Sequence, residues 1–238
     1  MGLTIHYRLN TDRTEIEAIR SLVQEIRQAA LQLPFQEVGE IIEFRGDACK
    51  SEDRDEPDHW LKIQAGQYVQ EEGGFFKVTP LHFIAFATTP GEGCEPANFG
   101  LARYPTFVNV GRSSPQRRRT NLTGWSWGSF CKTQYASNAN CGGMPNFVRC
   151  HLCVIALLDE LQKRQLVKVE VIDESDYWTH RDVRKLAEEV GVWNEGVAAL
   201  VGQFKDGLPG LPIEAPITQF ADFEHLEAKG QDTLKPQS

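Results

Sequence analysis

The chain has 238 residues, of which 41% are hydrophobic and 24% are charged, and its formal net charge is -8 at pH 7. This composition is typical of a globular protein that can bury a proper core in one large domain or two small ones. The acidic balance argues against bulk affinity for nucleic acid or for an anionic membrane surface. No apolar run approaches the roughly 20 residues needed to span a bilayer, so no membrane contact is predicted.

The N-terminal sequence lacks a basic region followed by an apolar core, so no secretory signal is expected. Six cysteines in a long chain without such a signal favour free thiols, and a cytoplasmic protein is predicted. Cys150 and Cys153 have the spacing of half a zinc site, but they stand within an amphipathic helical pattern and no second CxxC exists. Buried, reduced cysteines are predicted, with no metal and no cofactor.

The N-terminal segment is predicted to form a β-α-β pattern. Residues 3–9 alternate apolar and polar side chains, as a strand with one buried face does. An amphipathic helix follows, with a capping box of Thr14 and Glu17, and it ends before Pro34 because the residue preceding a proline is pushed out of the helical region. Residues 38–44 are predicted to be the second strand.

The middle third of the chain is predicted to be an antiparallel β region. Its expected strands are residues 60–69, 75–78, 82–87, 99–104 and 106–110. The acidic stretch 51–58 fits no EF-hand spacing and is interpreted as a solvated surface loop. A basic cluster follows, made of Arg112, Arg117, Arg118 and Arg119. Phosphate or nucleic-acid contact is one interpretation of this cluster, but a solvated hairpin tip is preferred because no aromatic residues interleave with the arginines.

A second β-α-β unit, over residues 124–182, contains most of the side chains able to do chemistry. Its expected parts are a strand at 126–136, a glycine loop at Gly142-Gly143, a helix at 146–164 and a strand at 167–173. If the two strands are parallel and adjacent, a ligand site lies beyond their carboxyl ends, beside the helix N-terminus. Those two places hold Gly142-Gly143 and Asp173-Glu174.

Two helices and an arm complete the prediction. A helix capped by Thr179 is expected to stop at Gly191, and another helix covers residues 193–205. Residues 1–206 are predicted to form a single α/β domain, and residues 207–238 an extended arm with a loose end. The residues expected to dock this arm are Phe220, Phe223 and Leu226. The fold class is α+β, with helices packed on a mixed sheet and two β-α-β patterns flanking an antiparallel region.

Four short strings link the chain to other sequences. They are Thr4-Ile5-His6-Tyr7, Gly93-Cys94-Glu95-Pro96, Lys132-Thr133-Gln134-Tyr135-Ala136, and Asp173-Glu174 followed by Tyr177-Trp178. In this order and spacing, over most of residues 3–190, the chain resembles a group of uncharacterised bacterial proteins. The resemblance implies a bacterial source and a common location for the motif residues, and it brings no activity, cofactor or substrate with it.

Polar residues of these strings and of the central unit form the candidate binding site. They are Lys132, Tyr135, His151, Asp173, Glu174, Tyr177, His6 and Glu95. We expect Lys132 to face Glu174 as a charge-assisted pair on one side of the sheet, with His151 leaning towards the same crevice. His151 lies at the edge of the apolar stripe, however, and a satisfied core histidine is the preferred interpretation of it.

The chain has no nucleophile elbow, P-loop, GxGxxG or HExxH, so no catalytic residue is assigned. The predicted function is binding of a small polar ligand or a protein partner. The alternative is a hydrolase that acts on a small polar substrate through a Lys, His and carboxylate site. Whether the protein is an enzyme, and which oligomeric state it has, are left open.

Overall fold

The computed structural model describes residues 3–51, 55–71, 74–111, 115–207 and 215–234. The strands are β1 (Thr4–Thr11), β2 (Glu37–Val38), β3 (Ile42–Arg45), β4 (Gln67–Glu71), β5 (Gly74–Val78), β6 (His82–Thr89), β7 (Ala97–Arg103), β8 (Phe107–Val110), β9 (Gln116–Arg119), β10 (Trp125–Lys132) and β11 (Lys168–Asp173). The α-helices are α1 (Ile16–Leu31), α2 (His59–Ala65), α3 (Gly143–Lys163), α4 (Tyr177–His180), α5 (Val183–Gly207) and α6 (Phe223–Leu234). Parts of three predictions lie outside the described residues: 52–54 of the acidic stretch, Arg112, and 208–214 and 235–238 of the arm.

A seven-stranded sheet, in the order β11-β1-β10-β7-β6-β2 with β3 also paired to β6, forms the centre of the fold. The predicted α+β class is confirmed, but the expected mixed sheet is wrong, since each neighbouring pair in this sheet is antiparallel. β10 and β11 do run parallel, as a β-α-β crossover requires, yet β1 lies between them and pairs with both. The crossover through α3 therefore skips one strand.

One face of β1 is buried beneath α1 and α3. Ile5, Tyr7 and Leu9 point to this face and are at most 3% exposed. The helices contribute apolar side chains spaced three or four residues apart to the same core: Ile19, Val23 and Ile26 from α1, and Val154, Leu157, Leu158 and Leu161 from α3. Burying one such side chain stabilises the fold by roughly 1.5–3 kcal/mol, so this face fixes where both helices lie.

The expected strand at residues 60–69 is wrong over residues 60–65, which belong to helix α2, whereas residues 67–69 are in strand β4. Leu61 and Ala65, which are four residues apart, are buried on one face of α2. Gln64 projects into the sheet where β7 and β10 separate, and its Oε1 accepts hydrogen bonds from Asn98 Nδ2 (2.7 Å) and Ser129 Oγ (2.8 Å). These long-range contacts favour a helix over the strand that residue types alone suggest.

Three boundary predictions near the sheet are also corrected. The strand predicted at 126–136 ends at Lys132, and a 3-10 turn over Gln134–Ser137 follows, so Tyr135 is not in the strand. The strand predicted at 38–44 is two short strands, β2 and β3, that pair with different parts of β6. Helix α1 begins after Glu15 without a side-chain cap, so the expected capping box is not formed there.

Helix α5 runs through Gly191, where the sequence predicts a stop. A Cβ at Gly191 would meet nothing within 4 Å, so this glycine neither makes a tight turn nor ends the helix. The predicted cap is also displaced: Asp182 Oδ1 accepts a hydrogen bond from the backbone N–H of Arg184 (2.9 Å) at the start of α5, whereas Thr179 lies in the preceding helix α4.

The arm after residue 206 is not simply extended, because it contains α6. Phe220, Phe223 and Leu226 pack against Ala198 and Val201 of α5, which confirms the predicted docking residues. Gly230 allows the close approach of α6 to α5, since a Cβ there would lie 2.1 Å from the carbonyl oxygen of Glu195. The division of the chain at residue 206 stays a prediction.

Candidate functional site

The candidate site residues fall into two groups. His151, Asp173 and Tyr177 belong to a buried group between α3 and the end of β11. His6, Glu95, Lys132, Tyr135 and Glu174 belong to a partly exposed group at the ends of β1, β10 and β11. The candidate residues therefore lie at one end of the sheet. They form two separate groups there, a buried hydrogen-bond network and a partly exposed surface cluster.

His151 is the centre of the buried group and is 0% exposed. Its Nδ1 lies 3.0 Å from Thr133 Oγ1, and its Nε2 lies 3.2 Å from Asp173 Oδ2. The Nε2–H group donates to the Asp173 carboxylate, and Nδ1 pairs with the Thr133 hydroxyl. The edge-to-face contact with the Tyr177 ring, at 5.9 Å between centroids, covers the remaining side. His151 is thus a hydrogen-bonded core histidine that a substrate cannot reach.

Asp173 closes the turn that follows β11. Its carboxylate accepts hydrogen bonds from the backbone N–H groups of Ser175 (3.0 Å) and Trp178 (2.9 Å) and from Ser175 Oγ (2.8 Å). Burial alone would raise the pKa of Asp173, but the hydrogen bond and charge of His151, together with the bonds from Ser175, outweigh it and lower the pKa to about 2. Asp173 is therefore an ionised turn residue that holds the start of α4.

Lys132 and Glu174 lie on the same face of the sheet, on either side of β1. Lys132 is directly opposite Thr4, and Thr4 exchanges hydrogen bonds with Glu174: its N–H donates to Glu174 Oε2 (2.9 Å), and its carbonyl accepts from the Glu174 N–H (3.2 Å). The expected charge-assisted pair is wrong, however. Lys132 Nζ instead lies 3.8 Å from Glu95 Oε1, and Glu174 Oε1 lies 3.8 Å from His6 Nε2.

A cleft of about 870 Å³ lies beside this surface cluster, on the sheet face opposite α1 and α3. Its floor is the outward side of the three strands at this edge, with His6 and Arg8 from β1, Gly128 and Phe130 from β10, and Glu170 and Ile172 from β11. Its wall is α2 and β4, with Trp60, Ile63, Gln67 and Tyr68. Glu95 and Pro96 also line the cleft and bring it next to Lys132.

Large apolar side chains stand exposed around this cleft. Trp60 is 68% exposed, Tyr68 69%, Phe130 40% and Ile172 72%. The open face of an antiparallel sheet is normally polar, and grouped exposed apolar side chains mark a binding surface in a soluble protein. The cleft therefore has the composition of a recognition site.

Gly128 and Gln67 fix the wall to the floor. The side-chain Nε2 of Gln67 donates a 3.2 Å hydrogen bond to the carbonyl oxygen of Gly128. A Cβ at position 128 would lie 2.7 Å from Gln67 Oε1, so a larger residue would displace the Gln67 amide and disturb its hydrogen bond to the sheet. The contact of the Gln67 amide with the floor thus uses a glycine in a strand interior, a position that often marks the close approach of another group.

Glu95 has one carboxylate oxygen that is shielded from solvent beside the cleft. Its Oε2 is buried and has no hydrogen-bond partner among the described residues. The Cys131 thiol donates to the backbone carbonyl of Glu95 at 3.1 Å, and the N–H of Glu95 donates to the carbonyl of Lys132 at 3.1 Å. Burial, followed by the charge of Glu95, raises the pKa of Tyr135, whose ring lies beneath Lys132 Nζ. This segment places a negative charge at a fixed point beside the cleft.

Sequence reasoning identified His6, Glu95 and the row of Lys132 and Glu174, but it missed the apolar part of the cleft. One signal for it was present: in β11, Lys168, Glu170 and Ile172 share the outward face, and the isoleucine interrupts a polar series. Trp60 carries no comparable signal, because its residue type favours a strand where the chain forms helix α2, and Tyr68 lies in a strand, as predicted, whose exposed face the sequence does not reveal.

Comparison of the chain with protein-family models, with curated proteins and with solved structures found no match. None of the helices in the described part of the chain is long and apolar enough to cross a membrane. Within the same residues, no three His, Cys, Asp or Glu side chains come together as a metal site. The case for a function therefore depends on the geometry of the cleft.

Proposed function

We propose that the protein binds a small ligand in the cleft between the outer face of β11, β1 and β10 and the wall of α2 and β4. The observation that carries this proposal is the convergence of four exposed apolar side chains, Trp60, Tyr68, Phe130 and Ile172, on one concave surface. The volume of about 870 Å³ falls within the range of roughly 300–1,000 Å³ that small-ligand sites occupy.

The lining indicates the chemistry of the ligand. Aromatic side chains on the wall and the floor fit a flat apolar body, because offset stacking and edge contacts both favour planar groups. The carboxylate of Glu95, whose Oε2 has no partner among the described residues, fits a hydrogen-bond donor or a positive charge on the ligand. A small aromatic amine or amidine combines these two features.

A protein partner is less well supported as the occupant. A stable protein interface buries about 800 Å² on each partner and is usually flat, whereas this site is concave and confined to one edge of the sheet. The hydrolase alternative loses the histidine on which it depended, because His151 is buried and both of its ring nitrogens are engaged. No specific observation favours it, so ligand binding is the better-supported proposal.

The test compares exposed aromatic residues inside and outside the cleft. A panel of planar aromatic amines and amidines is screened against the wild-type protein by thermal shift and ligand-observed NMR. Tyr68 and Phe75 lie on the same hairpin with 69% and 70% exposure, but only Tyr68 is among the residues that line the cleft. The variant Tyr68→Ala should weaken binding at least about tenfold, a loss of about 1.4 kcal/mol, while Phe75→Ala should leave it unchanged.

A second matched pair removes any effect that is peculiar to the hairpin. Ile172→Ser changes the floor of the cleft, and Val192→Ser changes an exposed residue of α5 with similar exposure, 72% against 66%. Binding should be lost only in the first of these variants. Absence of binding to the wild-type protein, or equal losses in both members of each pair, would show that the cleft is not a site for this class of ligand.

A further inference from the structure

Gln64 is a polar residue on the face of α2 that forms the wall of the cleft. Trp60, Ile63 and Gln64 all line the cleft, and residues three and four positions apart are neighbours on one side of a helix. Gln64 is partly exposed there, between side chains that are otherwise apolar. An inference about its role rests on the proposed function, because it concerns the chemistry of the same cleft.

The orientation of the Gln64 amide is fixed by two hydrogen bonds from the sheet. Its Oε1 accepts from Asn98 Nδ2 at 2.7 Å and from Ser129 Oγ at 2.8 Å. Asn98 is 2% exposed and Ser129 is 8% exposed, so both donors are held within the fold. An amide oxygen has two lone pairs, and both are used here. The oxygen of Gln64 is therefore committed to the protein.

The amine of the same side chain has no such partner. The hydrogen bonds that the Gln64 side chain makes within the described residues both use Oε1, which leaves Nε2 unpaired there. The buried side-chain atoms that lack a partner in this part of the chain are Glu95 Oε2 and Asn98 Oδ1, so Nε2 of Gln64 is open to solvent. An amide NH₂ group carries two donor hydrogens. Gln64 thus offers a fixed donor at the wall of the cleft.

The second glutamine of the wall is used differently. Gln67 also lines the cleft, but its Nε2 donates to the carbonyl oxygen of Gly128 at 3.2 Å. Its amine therefore joins the wall to the floor, whereas the amine of Gln64 is available to a bound molecule.

We propose that Gln64 is a specificity-determining residue, whose Nε2 donates a hydrogen bond to an acceptor atom on the ligand. The ligand is then a planar aromatic amine or amidine that also carries an acceptor, such as a ring nitrogen or a carbonyl oxygen. Glu95 receives the donor group of the ligand, and Gln64 pairs with its acceptor. A ligand without an acceptor would displace water from Nε2 and leave it unpaired, which is how a polar site rejects such analogues.

The first experiment compares two ligands of the same shape. The wild-type protein is titrated with a naphthylmethylamine and with the isomeric quinolinylmethylamines, at a pH where the ring nitrogen is unprotonated. These ligands differ by one ring nitrogen in place of a CH group. At least one quinoline isomer should bind about three- to tenfold more tightly than the naphthalene compound, as expected for one hydrogen bond.

The outcomes separate this inference from the proposed function. Binding of the naphthalene compound that is equal to, or tighter than, that of each quinoline isomer would overturn the role of Gln64 and leave the cleft as a site for aromatic amines. Failure of both kinds of ligand to bind would refute the proposed function and this inference with it.

The variant Gln64→Glu isolates the amine. It keeps an oxygen that can accept from Asn98 and Ser129 and replaces the NH₂ group with a second oxygen, so the preference for the quinoline should disappear. Gln70→Glu is the control for the added charge, because Gln70 is exposed on β4 and is not among the residues that line the cleft. This variant should keep the preference. A preference that persists in Gln64→Glu would assign the acceptor to another donor of the cleft, such as Arg8, and overturn the proposal.

A measurement on the wild-type protein does not depend on how the variant folds. The side-chain NH₂ signals of Gln64 are followed by NMR during titration with each ligand. The quinoline should move these signals downfield relative to the naphthalene compound, whose ring currents are similar but which offers no acceptor. Identical Gln64 signals at saturation with the two ligands would contradict the hydrogen bond.

Discussion

Lys132 Nζ lies 3.8 Å from Glu95 Oε1, beside the open cleft and not within a crevice between parallel strands. The two side chains are 25% and 42% exposed, and an ion pair of this length and exposure contributes at most about 1 kcal/mol. The other carboxylate oxygen, Oε2, is buried without a donor among the residues that the structure describes. Glu95 thus contributes little to stability, and under the proposed function its carboxylate is available to a donor group of the ligand.

The first prediction concerns Glu95→Gln. We expect the free energy of unfolding to change by less than about 1 kcal/mol, because the weak pair with Lys132 is lost while an unpartnered charge is removed. Binding of planar amines should fall at least about tenfold. Urea denaturation and ligand titration measure the two effects. Glu92→Gln is the control, since Glu92 is exposed in the same loop and does not line the cleft. A large loss of stability with unchanged binding would make Glu95 a structural residue.

The second prediction concerns Asp173→Asn, which should destabilise the fold by about 3–5 kcal/mol. Both carboxylate oxygens of Asp173 accept hydrogen bonds, from Ser175 on one side and from His151 and Trp178 on the other. Whichever way the asparagine amide points, its NH₂ group meets a donor. Asp176→Asn is the control, because Asp176 is exposed and has a positive φ of 55°, which asparagine tolerates. A loss below about 1 kcal/mol in chemical denaturation would contradict the role of this network.

The pH dependence of the same variant gives the third prediction. The pKa of Asp173 is lowered from its usual 3.8 to about 2, so its ionisation stabilises the fold above pH 4 by about 2 kcal/mol. This contribution is lost as the pH falls from about 4 through 2. The pKa of Glu43 is also lowered to about 2, chiefly by its hydrogen bond with Arg20, so the difference between wild type and variant isolates Asp173. That difference should shrink between pH 4 and pH 2 in urea titrations, and a constant difference would refute the linkage.

The fourth prediction compares two glycines of the α5–α6 pair. Gly230→Ala should destabilise the docking of α6 by roughly 1–3 kcal/mol, because its Cβ would lie 2.1 Å from the Glu195 carbonyl. Gly196→Ala, in α5, meets nothing within 4 Å and should stabilise the helix by up to about 1 kcal/mol. Limited proteolysis and thermal melting report both effects. Equal behaviour of the two variants would mean that α6 does not approach α5 as closely as described.

The last prediction concerns the arginines of β9. Arg118 forms a 3.1 Å ion pair with Glu71, and Arg117 lies over the Phe107 ring at 4.2 Å, so two of these cations already have partners within the protein. With a net charge of -8 as well, we expect no nucleic-acid binding in a gel shift at about 150 mM salt. Sub-micromolar affinity that disappears when residues 117–119 are replaced would prove this expectation wrong.

The strongest periodic segments were predictable from the sequence, and the weak ones were not. The apolar stripes of α1 and α3 and the alternation in β1 and β11 report directly which side of an element is buried. The segment 60–69 has aromatic and β-branched residues that favour a strand, but residues 60–65 are in helix α2, where Gln64 accepts hydrogen bonds from Asn98 and Ser129. A side chain that bonds residues more than thirty positions away leaves no local signal.

The sequence by itself determined the α+β class, the apolar faces of the helices and strands that form the core, and the four short strings whose residues meet at one end of the sheet. The tertiary structure decided which strand lies beside which. Ile5 pairs with both Cys131 and Asp173, so β1 separates the two strands of the crossover and places Lys132 and Glu174 on opposite sides of itself. That insertion leaves an outer sheet face which α2 and β4 turn into a cleft. Pairing between residues more than a hundred positions apart depends on the global packing of faces, and no periodicity within a single element records it.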